Sequence, residues 1–525
     1  MCISKVIVFT AFDSFYEKYR PLTPYGKAHK EALHFYTESR ELDAIHLITD
    51  ALIAYLNEQD HQALKVENHL SRIDRLNTLD KNEYDAVDIQ LIKKFLLQLR
   101  AIDNELNDTT KQLLNFEYEL NELLEKLMPD NDQSESFYLS SAFDDALKTV
   151  RDTIRLRDDE LAAIRIDKCC EIKEKYLIDM DGREFVLIDK QRAELLEVSD
   201  LNCEFYDSNL IKVKPYFGKS YLEALQVKEN LLTKESELEK KVLIDLSEAI
   251  KQNKEKLKRA IDTVCLLDIS LARARFSLQL KLNKPDYNAK LIEVCEGVFY
   301  PLWEKHQRKQ LEYTPLNADF DSNAILLSGS NMGGKTVLFK TLAFLQLLTQ
   351  LGFRVPARRF STRLFDSIHV LGNGQSGNVE GLSSFGQEIH QLTEAIEASD
   401  ERLIFVDELA RTTNAKEAKA ILFAVLKFVT QHVNITGFFS THFINMPAIK
   451  LVAKYRMKGL NRQAYEQHCH KQPDDINEKI RLINAFMQYE VVTDDGQQSK
   501  DALSIAGMLG LPTEIINYAN DYLDQ

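Results

Sequence analysis

The residues best suited to chemistry begin where an apolar run, Ala324 to Ser328, leads into Gly329-Ser330-Asn331-Met332-Gly333-Gly334-Lys335-Thr336-Val337. This is the glycine, lysine and hydroxyl spacing of a phosphate-binding loop. Its glycines let backbone N–H groups close around phosphate oxygens, Lys335 neutralises charge at the β- and γ-phosphates, and Thr336 offers a hydroxyl to Mg²⁺. Downstream, Arg402-Leu-Ile-Phe-Val-Asp407-Glu408 is an apolar run ending in two acids. Asp407 is placed to hold the magnesium shell, and Glu408 to orient or deprotonate an attacking water. A third apolar run, Ile435 to Ser440, ends at Thr441-His442, where His442 could sense a γ-phosphate by hydrogen bonding. Alone, an Asp-Glu strand end is often only a strand cap, and a lone histidine is often a core or surface one. The phosphate loop upstream gives both a reaction to serve, the hydrolysis of ATP with Mg²⁺.

These groups need elements to position them. The order strand, glycine loop, helix predicts a parallel α/β sheet that presents its carboxyl edge to a ligand, with the helix running through Leu351. Upstream the texture is helical: Leu42, Ile45, Ile48, Leu52 and Leu56 recur every three or four residues, the period of an amphipathic helix. Similar stretches cover Tyr84 to Leu106 and Gln112 to Leu127, and another begins near Ser141. Around Tyr176 to Ile188 the residues read as a hairpin turned at Asp181-Gly182, followed by a strand-like run from Cys203 to Val213. After Pro215 a long charged helix carries Leu231, Leu238, Val242, Leu246, Ile250, Leu257 and Ile261 on one face.

With 525 residues, 44% of them hydrophobic, the chain can bury a core without disulfides or structural metals. Its seven cysteines are scattered and odd in number, which predicts a reducing, cytoplasmic setting. Cys169-Cys170 reads as two buried thiols, and His468-Cys469-His470 has poor spacing for a tetrahedral metal site. No run is long and apolar enough for a membrane span, and the N-terminus lacks the pattern of a cleaved leader, so a soluble protein is expected. A net charge of −15 disfavours nonspecific adhesion to nucleic acid. Two local clusters, Arg354/Arg358/Arg359/Arg363 and Lys454/Arg456/Lys458/Arg462, are either basic patches or solvated faces.

At its chemical motifs the chain closely resembles the MutS family. The likeness lies in Asn331 to Lys335, in Leu382-Ser383-Ser384-Phe385 with Glu388, in Asp407-Glu408 running on into Leu409-Ala410-Arg411-Thr412-Thr413, in Thr441-His442, and in Ala506 to Pro512. It extends more weakly to Pro21 to Lys27, His69 to Ile73 and Leu267-Asp268 with Ala272 and Ala274. The resemblance implies an ABC-like α/β P-loop ATPase domain at residues 286–525, preceded by a mainly α-helical core and lever at 1–164. A small β insertion at 165–216 and a returning lever helix at 217–285 complete the expected order. It also implies a homodimer in which Ser383 and Ser384 face the partner's nucleotide, although Ser383 and Ser384 also read as a helix cap. Double-stranded, mismatched or distorted DNA is the partner that the family suggests.

Departures qualify the DNA expectation. Phe15-Tyr16-Glu17 has the letters of the family's mismatch-reading Phe-x-Glu motif, but helical core begins too soon after it for the reading domain, and the match reads as coincidence. Gly386 and Ala410 stand where methionine and glycine are usual, and the β insertion is small for a DNA clamp. The alternative client is a protein, as for the shorter MutS-like proteins associated with cobalamin-dependent aminomutases. A transporter ATPase, echoed by Leu382 to Gln387, and a chromosome-organising ATPase fit the order of motifs less well.

Overall fold

A computed structural model describes residues 3–77, 79–130, 139–191, 198–329, 333–372, 383–397, 400–409, 413–443, 446–468, 475–494 and 501–523. The chain packs as two units, one of residues 65–106 and 115–264, the other of 1–64, 107–114 and 265–525. Among the described residues no helix is long and apolar enough to cross a membrane.

The first unit is built on two long helices, Asp145–Tyr176 and Gly218–Gln252. They run antiparallel, tied by Arg151, whose guanidinium donates to Glu235 and Glu239 at 2.6 Å each, and by Lys228 with Asp158 at 2.5 Å. Between them, β1 (Val186–Asp189), β2 (Leu201–Phe205) and β3 (Leu210–Pro215) form an antiparallel sheet with β3 in the centre. One face of that sheet packs Leu201, Ile211 and Val213 against Ile172, Ile178 and Met180.

Four local expectations change here. Tyr176 to Met180 is not a strand: Leu177 adopts a left-handed φ of 55° that ends the helix, and Ile178 and Met180 are buried beneath the sheet. Asp181-Gly182 does turn the chain, with positive φ at both residues, but β1 pairs with β3 rather than with the segment before the turn. The span from Cys203 to Val213 is a hairpin, not one strand. The predicted helix from Gln112 to Leu127 is likewise two helices, Asp108–Leu114 and Asn121–Leu127, parted after the positive φ at Asn115. Cys169 is half-buried and Cys170 exposed, because adjacent helical positions point about 100° apart and only one can face the core.

The second unit holds two further sheets. β4 (Ile292–Gly297) pairs with β5 (Leu316–Phe320) and with β7 (Arg359–Ser361), all antiparallel. The larger sheet takes β6 (Ala324–Ser328), β8 (Ser367–Leu371), β9 (Arg402–Asp407), β10 (Ile435–Ser440), β11 (Val452–Leu460) and β12 (Met487–Thr493), in the order β12-β11-β6-β10-β9-β8. Every pairing in it is parallel except that of β12 with β11.

The central strands read as continuous apolar runs because both faces are covered. Ile325, Leu327, Leu403, Phe405 and Phe438 face the buried helix Lys335–Gln350 and the N-terminal helices Ile3–Phe9 and Phe12–Tyr16. Their alternates, Ala324, Leu326, Ile404, Val406 and Phe439, face the helices Ser384–Ile396 and Ala415–Gln431. Phe15 lies inside the first of these cores, edge-on to Phe276, Tyr300 and Phe344 at ring distances of 4.9, 4.9 and 5.0 Å. Its place in the Phe-x-Glu letters is therefore that of a core residue. Phe344 is fully buried, so Phe344→Ala should cost about 3–5 kcal/mol of stability; urea denaturation that leaves the transition unmoved would contradict this packing.

Candidate active site

The carboxyl ends of three parallel strands come level because their register puts them there. Ser440 at the end of β10 is opposite both Asp407 of β9 and Leu327 of β6. Side chains leaving those ends converge beside the start of the helix Lys335–Gln350. Gly334, with φ 93°, precedes that helix and Gly329, with φ 134°, closes β6; both conformations favour glycine. Ser330, Asn331 and Met332 lie outside the described residues. Gly333 is buried and Val337 half-buried in the first turn.

Asp407 is the best-held group. Thr336 Oγ1 donates to its Oδ2 at 2.6 Å and Ser440 Oγ to its Oδ1 at 2.5 Å. Ser440 Oγ in turn accepts from the Glu408 backbone N–H at 3.1 Å. A hydroxyl and a carboxylate at a helix N-terminus are hard oxygen ligands, which suits Mg²⁺. Thr336 and Asp407 are the pair that would hold it.

Glu408 leaves the strand with φ 60°, a conformation that costs a non-glycine residue roughly 1–3 kcal/mol and is characteristic of functional sites. Its Oε1 lies 3.8 Å from Lys335 Nζ and 3.9 Å from His442 Nδ1. Lys335 is 3% exposed, and its ammonium donates to the Gly329 carbonyl at 2.6 Å. Burial pushes its pKa down, while the Glu408 and Asp407 carboxylates pull it up. The ammonium is thus held in a desolvated place from which a phosphate oxygen could take over the donation made to Gly329. His442 is half-exposed beside Phe443.

Ser383 caps the helix Ser384–Ile396 by accepting from the Gly386 N–H at 3.2 Å. Both Ser383 and Ser384 are exposed. Leu382 and the loop Ala410-Arg411-Thr412 lie outside the described residues, as do the side chains of His468, Cys469 and His470.

Four residues join this site that the motifs did not single out. Ser440 ties Asp407 to the Glu408 backbone. Gly372, with φ 105°, lies so close that a Cβ there would collide with the Asp407 carbonyl. Tyr489 packs its ring against Gly334, 3.1 Å from where a Cβ would stand, and Met457 lines Gly329. Only Gly372 had a local signal, a glycine directly after the apolar run Ser367 to Leu371; the other three reach the site through strand pairing.

The two basic clusters are largely spent on nearby acids. Arg354 pairs with Asp50, Arg358 with Glu296, Arg359 with Glu293 and Arg363 with Glu401. In the second cluster, Lys458 pairs with Glu490, Arg462 reaches Asp501 at 3.8 Å and Lys454 donates to the Met446 carbonyl at 2.8 Å.

Residues 325–525, the region carrying this geometry, match the family described as MutS domain V. The chain is also 24% identical over 354 residues to a DNA mismatch repair protein MutS of Bacillus subtilis, covering 67% of this chain and 38% of that protein. It is 23% identical over 472 residues to an Endonuclease MutS2 of Caldanaerobacter subterraneus, covering 88% of this chain and 54% of that one. The matched region is thus similar to MutS domain V, and most of the chain resembles MutS and MutS2 proteins at low identity. The chain spans about half or less of the length of these relatives.

Two substitutions test the geometry of this site without touching its charges. Ser440→Ala should cost about 1–3 kcal/mol through the buried groups it strands and weaken magnesium-dependent nucleotide binding, measured by calorimetry. Gly372→Ala should do so more severely, since its methyl displaces the Asp407 backbone; nucleotide affinity unchanged in both would show that Asp407 is not positioned by these contacts.

Proposed function

We propose that this chain binds and hydrolyses ATP with Mg²⁺ on an ABC-like P-loop domain. In this reading it works as a homodimer and couples turnover to its grip on mismatched or otherwise distorted double-stranded DNA, in repair or recombination. The observation that carries the reading is the convergence of Lys335, Thr336, Asp407 and Glu408 at one sheet edge. Magnesium, when bound, would supply positive charge to the phosphates from the Thr336 and Asp407 oxygens. Lys335 exchanges the Gly329 carbonyl for phosphate oxygens. Glu408, aimed inward by its left-handed backbone, orients a water and accepts its proton, and His442 contacts that carboxylate and senses the γ-phosphate. The Tyr489 ring, packed against Gly334, adds an apolar wall to the site. Ser383 and Ser384, exposed on their helix, would meet the partner's nucleotide, so that ATP binding is read out as closure of two subunits.

The DNA client rests on the relatives' names, mismatch repair protein and endonuclease. Two observations favour the second client, a protein to be remodelled: most of the arginines and lysines that could have formed a phosphate-binding surface pair internally with acids, and the net charge is −15. ATP turnover measured at low salt with and without duplex containing mismatches or branches separates the two. Stimulation, with binding that weakens steeply as salt rises, supports DNA; neither stimulation nor binding hands the client role to a protein.

Lys335→Ala should abolish nucleotide binding. Glu408→Ala should still bind ATP but slow its hydrolysis by about 100-fold or more, the scale of losing a general base. Normal turnover in the Glu408 variant would remove that residue from the chemistry.

A further inference from the structure

Away from the nucleotide site, the same unit contains a buried cation with no anion. Arg273, on the helix Lys254–Gln279, is 5% exposed. Its Nε has no hydrogen-bond partner, and among the described residues no carboxylate lies within ion-pair distance. It lines a small cavity of about 10 Å³, room for one water-sized body, together with Tyr16, Tyr19, His29, Leu33, His34, Leu351 and Phe353. None of these lining side chains is acidic. The nearest acid on its own helix, Asp268, is fully engaged: it accepts from the Leu22 and Thr23 N–H groups and from the Thr23 hydroxyl.

An unpaired charge taken out of water is costly unless something compensates it. The Phe353 ring, 5.5 Å from the guanidinium carbon, offsets part of that cost. A second cation adds to it, since Lys30 Nζ lies 5.0 and 5.8 Å from the Tyr16 and Tyr19 rings. His29 and His34 stack at 4.3 Å beside Arg273. Burial, His34 and Arg273 together hold the His29 pKa at about 4, so at neutral pH its imidazole is uncharged and can donate one N–H. His34 is exposed and marks a way in.

We propose that this cavity is a binding site for one small inorganic anion of the chloride class, held by Arg273 with an imidazole N–H from the His29/His34 pair. Room for one water-sized body is far below the roughly 300 Å³ at which pockets for organic ligands begin, which excludes a nucleotide or metabolite. Its lining has two imidazoles but no carboxylate or thiol, no group of three such ligands stands together among the described residues, and the Arg273 charge repels a cation, so an anion suits it better than a metal ion. Leu351 and Phe353 directly follow the helix whose first residue is Lys335, so the anion binds at the opposite end of the phosphate-loop helix from the nucleotide. This site does not depend on the ATPase reading.

Thermal unfolding of the full chain, titrated with sodium chloride against sodium gluconate at constant ionic strength, tests it. A ligand that binds only the folded state raises the midpoint in a saturable way. The expected result is a saturable rise of a few degrees with chloride or bromide and none with gluconate, lost in Arg273→Met and retained in part by Arg273→Lys. Equal midpoints in chloride and gluconate, or the same rise in Arg273→Met, overturn the proposal. Should Arg273→Met fail to fold, crystals of the unaltered chain grown in bromide decide the matter. An anomalous peak beside Arg273 Nε supports the site, and a water alone in that position overturns it.

Discussion

The register of three parallel strands is the constraint from which the site follows. Because β10 pairs with β9 and with β6 so that Ser440 stands opposite Asp407 and Leu327, the strands end at one level. The two acids, the serine and the phosphate-loop helix must then meet. A slip of one residue would turn Asp407 to the other face of the sheet, and the alternating cores on the two faces oppose such a slip. Gly372 belongs to the same constraint: the backbone of β9 passes so close to the end of β8 that no side chain fits between them.

Charge is organised at two scales. Locally, one buried ammonium lies beside two carboxylates, a balance that a bound triphosphate with its magnesium would rearrange without moving the backbone. Over the molecule, six of the eight basic residues that the sequence presents as two clusters are distributed among ion pairs within their own unit. Exposed pairs of this kind contribute little to stability, but they lower the positive potential available to an approaching polyanion. A DNA client would therefore have to be gripped through surfaces other than these clusters.

How much of this was legible in the sequence depended on how local each signal is. The run from Ala324 to the helix after Lys335 carries its own strand, turn and helix signals, and the strands ending at Asp407 and Ser440 are apolar on both faces. These elements could be read directly. Tyr489, Met457 and Ser440 could not, because their proximity to the loop comes from pairing between strands far apart in sequence. The hairpin read at Asp181-Gly182 failed for a related reason. Turn chemistry was present, yet Ile178 and Met180 found a better place under the sheet than in it. The charge clusters could not be resolved between patch and solvated face because Asp50, Glu293, Glu296 and Glu401 lie up to some three hundred positions from the arginines they neutralise.

The most direct measurement is a crystal structure with a non-hydrolysable ATP analogue and magnesium. The account predicts the triphosphate wrapped by Gly329 to Lys335, its oxygens within hydrogen-bond reach of Lys335 Nζ, and a magnesium ion between Thr336 Oγ1 and the Asp407 carboxylate. Nucleotide bound elsewhere, or Thr336 and Asp407 still bonded directly to each other with no ion between them, would contradict it.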